Sequence, residues 1–230
     1  MKKLEYIHVN LDLEEIKRML HMEKRGDWSQ VETLIYETQS LILPKAVYKL
    51  CYIESKLEDA IILDGISLKS CVLHKNFNNV ERVFPYVVTI GDKLEEKARS
   101  YDDLLKQYYL DTIGNVALTT VQEYLKDQLR SRYALDGMSY MSPGSLKDWA
   151  IEEQIPLFSI LGDVENSTGV RLSESLLMIP NKSLSGIYFP TIIPFYSCQL
   201  CPRKDCPTRK TPYDEKLARE FGDIAESTKD

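Results

Sequence analysis

The sequence lacks the features typical of nucleic-acid-binding, membrane-spanning and secreted proteins. Its 29 Lys and Arg residues are outnumbered by 35 Asp and Glu residues, which gives a formal net charge of -6. Because phosphate binding depends on a surplus of basic residues, this balance argues against nucleic acids and anionic membrane surfaces as partners. No segment approaches the ~18 uninterrupted apolar residues of a membrane span, and no apolar signal-peptide core follows the first five residues. We therefore expect a cytoplasmic protein with no nucleic-acid or membrane partner.

Histidine and cysteine are also scarce. His8, His21 and His74 stand far apart and form no recognisable catalytic triad, so we expect no catalytic residue among them. The cysteines number five, an odd count, and three of them crowd together near the C-terminus. This distribution argues against the disulfide framework of a small secreted protein.

The rest of the composition is that of an ordinary globular protein. Hydrophobic residues make up 43% of the chain and charged residues 28%, which is enough apolar material for a sizeable core. We expect residues 1–230 to form a single domain. The patterns described next predict an α+β fold, in which helices flank a twisted mixed or antiparallel sheet and one helix is long and central.

Helical periodicity appears at both ends of the chain and in its middle. Apolar residues recur three and four positions apart in residues 11–24 and 28–43, which predicts N-terminal helices within residues 1–43, interrupted at Gly26. A wider apolar stripe from Leu105 to Leu125 predicts a long helix packed on several neighbours. Asp102 or Asp103 is suitably placed to cap it. Shorter helices are predicted at residues 93–99, 156–161 and 215–227.

Short β-like runs and turns occupy the remaining segments. Strands are predicted at residues 47–53, 60–63, 66–68, 80–90 and 187–189. Between them, residues 142–145 and 183–186 have the composition of turns. Binding residues often lie in such loops on a rigid scaffold. We expect the loops at 141–145 and 183–186 to lie side by side in one groove, flanked by the long helix.

One set of motifs carries a family resemblance. It begins with Met141-Ser-Pro-Gly144 and ends with Ser185-Gly186 and Tyr188-Phe189. Between these lie Glu152–Gln154, Leu157–Phe158, Leu161, Gly169–Leu172, Glu174–Met178, Pro180 and Ser183, while Thr89–Gly91, Leu110–Asp111, Gly114 and Ala117 extend the pattern upstream. In order and spacing these residues resemble the activation domain of cobalamin-dependent methionine synthase. The resemblance covers about the last two-thirds of the chain well and the first helices poorly.

The resemblance implies a ligand, partners and a site. Domains of this family bind S-adenosylmethionine in a shallow groove and present its methyl group to cobalamin held by a methionine synthase, while a flavodoxin-like or other donor supplies an electron. A free-standing version would therefore serve a methionine synthase, or another corrinoid protein, that lacks this domain. The implied ligand-binding residues are Asp111, Thr120, Tyr140, Met141, Ser142, Pro143, Gly144, Ser183, Ser185, Gly186, Tyr188 and Tyr196.

This sequence departs from the family pattern at three positions. The family has an arginine four residues before the motif glycine and a tyrosine directly after it, where this chain has Tyr140 and Ser145. A ligand-contacting glutamate of the family falls on or near Thr120. The arginine and glutamate are the groups best able to bind the ligand's carboxylate and ammonium.

The C-terminal tail, residues 198–230, carries a second candidate site. Cys198, Cys201 and Cys206 have a spacing that suits zinc with a fourth ligand, or an iron-sulfur cluster with one other ligand or an open position. We expect the three sulfurs to converge on one point. The alternative is a reduced tail without metal. These features leave two further hypotheses open: a cysteine-ligated redox protein serving a corrinoid methyltransferase, and a non-catalytic docking module.

Overall fold

The computed structural model of the chain describes residues 1–4, 6–23, 28–206 and 209–227. Its helices are α1 (Leu13–Met19), α2 (Trp28–Thr38), α3 (Cys71–Asn76), α4 (Lys93–Arg99), α5 (Leu104–Tyr133), α6 (Gln154–Leu161), α7 (Val164–Thr168) and α8 (Glu215–Ser227). Its strands are β1 (Lys2–Leu4), β2 (Lys45–Tyr48), β3 (Cys51–Lys56), β4 (Ala60–Leu63), β5 (Ile66–Lys69), β6 (Arg82–Thr89), β7 (Met138–Met141), β8 (Arg171–Leu172), β9 (Met178–Ile179) and β10 (Ser183–Pro190). Among the described residues, no helix is both long and apolar enough to cross a membrane.

The main sheet is organised around β6. This strand pairs with β2 near its C-terminal end, with β3 near its N-terminal end, and with β10 along most of its other edge. Beyond these, β1 pairs with β2, β4 and β5 extend from β3, and β7 pairs with β10. The pairings seen in the described residues are antiparallel. The predicted α+β class, with a twisted sheet and one long helix, is confirmed.

The long helix α5 packs across β6 and β10. The carboxylate of Asp103 accepts hydrogen bonds from the amides of Leu105 and Lys106, so the predicted cap is confirmed. The helix ends at Ala134, which takes a left-handed conformation. Its buried side chains join those of the sheet and of α1 and α2 in one hydrophobic core. This packing fixes which face of α5 remains available to a ligand.

The predicted elements differ from the observed ones in several places. Residues 47–53 form the end of β2 and the start of β3, which pair with the same edge of β6 in one register. The ladder is interrupted at Lys49 and Leu50, opposite Pro85, which has no amide hydrogen to donate. Residues 183–186, predicted as a turn, form the first half of β10. Sequence reasoning missed β7 and α3, although Ser70 is a recognisable cap whose hydroxyl accepts from the Leu73 amide. The predicted break at Gly26 lies outside the described residues.

At Gly186 in β10, the backbone of β7 and the Tyr86 ring of β6 both lie close to the chain. A Cβ at this position would overlap the carbonyl oxygen of Met141 and lie 2.9 Å from Oγ of Ser142 and 3.1 Å from Cε1 of Tyr86. Backbone lies on one side and a buried ring on the other, so neither can yield. The missing side chain therefore lets the chain after β7 lie directly on β10.

The substitution Gly186→Ala tests this contact. We expect the free energy of unfolding to fall by about 1–3 kcal/mol, because the added methyl group overpacks a rigid site. The measurement is urea denaturation with a check that the slope of the transition is unchanged. Gly114→Ala is the matched control: its Cβ would meet flexible side-chain atoms of Lys182 and Leu94, and alanine favours the helix by up to about 1 kcal/mol. Equal losses in the two variants would contradict the assigned role of Gly186.

Candidate functional site

A groove of about 300 Å³ lies where α5, β7, β10 and the tail meet. Its lining residues come from all four parts of the chain. They are Thr119 and Gln122 of α5, Tyr140, Ser142 and Ser145 of β7 and the following loop, Leu184 of β10, Tyr196 and Ser197 just before the tail, and Cys198, Cys201 and Lys210 of the tail. The volume is at the lower end of the ~300–1,000 Å³ typical of small-molecule sites. We refer to this cavity as the groove.

A buried hydrogen-bond network forms the floor of the groove. The side-chain amide of Gln122 donates to the Tyr86 hydroxyl at 2.7 Å, and the Tyr188 hydroxyl donates to the Gln122 carbonyl at 2.8 Å. The two tyrosine rings stack with centroids 4.5 Å apart. Burial raises the pKa of both phenols, so they stay neutral and act as hydrogen-bonding groups. Tyr188 is fully buried, and its ring is therefore not available to stack on a ligand as expected.

Strand alternation directs the two predicted serines away from the groove. The Ser183 hydroxyl donates to the Pro180 carbonyl at 2.7 Å, and the Ser185 hydroxyl donates to Oε1 of Gln154 at 2.7 Å. Both serines are buried on the face of the sheet opposite α5. Because side chains alternate along a strand, Leu184 lies on the groove side instead. Gly186 lies beside Ser142, so the two predicted segments are adjacent, but as a strand and a loop.

In the Pro-Gly loop, the serines line the groove, whereas the proline and the glycine do not. Gly144 takes a left-handed φ of 78°, and its amide donates to the Trp149 carbonyl at 2.7 Å. A Cβ on Gly144 would point at Cδ1 of Ile151, 3.0 Å away. Met141 and Pro143 are buried, whereas Ser142 and Ser145 line the groove. The glycine therefore shapes the turn, and the side of its Cα where a side chain would be attached points at Ile151 and not into the groove.

The two predicted positions on α5 lie outside the groove. Asp111 forms an ion pair with Lys182 at 2.6 Å, near the N-terminal end of the helix. Thr120 lines an adjoining cavity of about 550 Å³ between α1 and α5. Thr119 and Lys210 line both cavities and therefore lie at the boundary between them.

Arg209 closes the tail loop beside the groove. Its guanidinium donates to the backbone carbonyls of Cys198 at 3.1 Å, Cys201 at 3.1 Å and Thr211 at 3.2 Å, and also to the carbonyl of Arg203. Hydrogen bonds from a charged donor are stronger than neutral ones. The Arg209 side chain thereby links the two ends of the loop that contains Cys198 and Cys201.

The three tail cysteines do not converge as expected. Within the described part of the chain, no three His, Cys, Asp or Glu side chains are grouped to hold a metal ion. The physical reason is that the loop closes around the Arg209 guanidinium by its carbonyls, and these bonds set the path of the chain. As placed, the residues do not fit a zinc or iron-sulfur site. Cys198 and Cys201 are instead half-buried thiols that face the groove.

Lys210 brings a positive charge to the groove. Its ammonium lies 5.3 Å from the centroid of the Tyr140 ring and 3.5 Å from Oε1 of Glu123. Burial lowers its pKa, but the Tyr140 oxygen and the Glu123 carboxylate outweigh burial and leave the pKa raised. The side chain is therefore a stable cation. Sequence reasoning missed Lys210 and Glu123 as site residues; the only signal was the run of basic residues among the cysteines.

The substitution Arg209→Met tests the role of the tail clamp. Hydrogen bonds to charged groups contribute about 1.5–3 kcal/mol, so alkylation of Cys198 and Cys201 by iodoacetamide should accelerate on the order of tenfold. Labelling is read residue by residue by peptide mass spectrometry. Burial, with a contribution from Asp64, raises the pKa of Cys51 to about 12, so this thiol should stay unreactive as an internal reference. Arg203→Met, which removes one exposed local bond, is the control, and equal rates in both variants would contradict the clamp.

Comparison with known proteins gives one informative result. No protein-family profile matches the chain, and no curated protein does either. Among solved structures, the chain is similar to the MetH reactivation domain bound to AdoHcy. The TM-score is 0.56 at 17% sequence identity, over 86% of this chain and 73% of that one. Identity this low shows the fold alone, and the fold it shows is the one that the sequence resemblance implied.

Proposed function

We propose that this protein supports the reductive reactivation of cobalamin on a methionine synthase that lacks its own reactivation domain. In this proposal the groove binds S-adenosylmethionine and presents its methyl group to the corrinoid partner, while a flavodoxin-like or other donor supplies the electron. The observation that carries the proposal is the fold shared with a reactivation domain that was solved with AdoHcy. The groove beside the Met141–Gly144 motif supports it further, because that motif carries the sequence resemblance.

The chemistry of this proposal places modest demands on the chain. A sulfonium is already an activated methyl donor, and the nucleophile belongs to the partner, so the chain has to bind and orient its ligand. No acid or base is needed, which is consistent with a groove whose described lining includes neither a carboxylate nor an imidazole. Tyr140 and Tyr196 offer aromatic surface for an adenine ring. Ser142, Ser145 and Thr119 offer hydroxyls for a ribose.

A second candidate function rests on the two thiols in the groove wall. Cys198 and Cys201 face the same cavity as Tyr140, where a redox protein serving a corrinoid methyltransferase would need them. A metal or cluster site would require the tail to rearrange around its sulfurs. Metal and sulfide analysis of anaerobically purified protein separates the two candidates: near-zero iron and zinc in both the wild type and a Cys198→Ser, Cys201→Ser variant would eliminate the metal-based one.

The substitution Thr119→Trp tests the groove as the ligand site. Thr119 is exposed on α5 and lines both cavities, so an indole there should fill the groove with little effect on folding. We expect affinity for AdoHcy, measured by isothermal titration calorimetry, to fall by about tenfold or more, in line with ~1.4 kcal/mol per tenfold change. Methyl transfer to a cobalamin-loaded synthase fragment lacking the reactivation domain should fall in parallel.

Thr33→Trp is the matched control for this experiment. Thr33 is likewise an exposed helical threonine whose hydroxyl donates to the carbonyl four residues earlier, but it lies on α2. Its replacement should leave both measurements unchanged. Wild-type protein that binds neither AdoHcy nor S-adenosylmethionine would eliminate the proposed function.

A further inference from the structure

We infer that Lys210 and Glu123 form a recognition site for the amino-acid end of the ligand, with Lys210 binding its carboxylate and Glu123 its ammonium. The inference rests on the proposed function, since it assigns the residues that would select an adenosyl amino acid over a simple nucleoside. The two residues come from different parts of the chain, Glu123 from α5 and Lys210 from the tail. They meet at the junction of the two cavities.

The position of the pair suits a ligand that spans both cavities. Lys210 lines the groove and the adjoining cavity, and Glu123 lines the latter. A nucleoside held near Tyr140 and Tyr196 would extend its amino-acid chain toward this junction. There it would meet one cation and one anion whose nearest charged atoms are 3.5 Å apart. An α-amino acid carries its own two charges at a similar spacing, so its zwitterion is complementary to the pair.

The pair is also weak enough to be opened by a ligand. The side chains of Lys210 and Glu123 are 36% and 39% exposed, and the 3.5 Å separation is long for a charged hydrogen bond. Ion pairs at this exposure contribute little to stability. When a zwitterion inserts between them, each charge exchanges one partner for another, so no charge is left unpaired.

Neighbouring charges are less available for this role. The guanidinium of Arg209, which lines the adjoining cavity, donates to four backbone carbonyls. Arg18 is engaged with Glu15 by two hydrogen bonds. Lys126 also pairs with Glu123, at 2.8 Å, but it is not among the lining residues of either cavity. Glu123 therefore keeps a second cation beside it when Lys210 turns to a ligand.

The pair also accounts for two of the departures from the family pattern. Tyr140 occupies the position of the family's arginine, and the Lys210 ammonium lies over its ring. The glutamate that the resemblance implies falls on or near Thr120, and Glu123 follows Thr120 by three residues, about one helical turn. The charges missing at both family positions are thus present nearby, supplied by other residues.

The experiment compares two ligands that differ only in the amino-acid end. S-adenosylhomocysteine carries the zwitterion, and 5′-methylthioadenosine ends in a methyl group after the same adenosine thioether. Titration calorimetry with wild type should show tighter binding of S-adenosylhomocysteine. Lys210→Met and Glu123→Gln should each weaken S-adenosylhomocysteine by about tenfold to a hundredfold, the range expected for a charged hydrogen bond, and leave methylthioadenosine unchanged. Lys126→Met is the control, because it removes the other cation beside Glu123 from outside the cavities.

Each outcome has a defined meaning. A purely structural role of Lys210 predicts equal losses for the two ligands and would overturn the inference. Equal affinity of wild type for both ligands would overturn it as well, and this comparison needs no variant to fold. A wild-type protein that binds neither ligand would instead overturn the proposed function on which the inference rests.

Discussion

The close approach at Gly186 is the constraint on which the candidate site depends. Because this residue has no side chain, the backbone after β7 lies directly against β10, with the Tyr86 ring on its other side. That contact places Ser142 and Ser145 at the groove edge. It also leaves Tyr86 and Tyr188 stacked below, where Gln122 of α5 bonds to both. One missing methyl group therefore determines how the helix, the loop and the sheet meet.

The tail supplies the wall of the groove that the sheet and α5 leave open. Together with Tyr196 just before it, the tail contributes two thiols and an ammonium to the groove wall. Leu200 and Phe221 pack the tail against a hydrophobic cluster formed by the sheet and α3. Arg209 adds charged hydrogen bonds to backbone carbonyls, which close the loop that carries the two thiols.

The fold shared with the reactivation domain and the residues that line the groove have to be considered separately. A fold can be retained while the groups that contact a ligand change, so function has to be argued from the site. At the positions where the sequence resemblance implies an arginine and a tyrosine, this chain has Tyr140 and Ser145, and Thr120 lies at or near the position implied for a glutamate. The charges of Lys210 and Glu123 stand near two of these positions. The proposed recognition of the ligand's amino-acid end therefore depends on this chain's own residues. The likeness in fold indicates only where in the structure a ligand would bind.

The sequence by itself determined the elements whose signals are local. The Asp103 cap, the apolar stripe of α5 and the helix at 93–99 follow from side chains acting on their own backbone or from a repeat of 3.6 residues. The order of motifs after Met141 also indicated the fold. Tertiary structure alone decided which side chains face the groove. Ser183 and Ser185 turn away because β10 begins earlier than its turn-like composition indicated, and strand alternation then places Leu184 on the groove side. Lys210 reaches Glu123 because the tail loop that Arg209 closes lies against α5, and contacts between residues 87 positions apart leave no pattern in a single sequence.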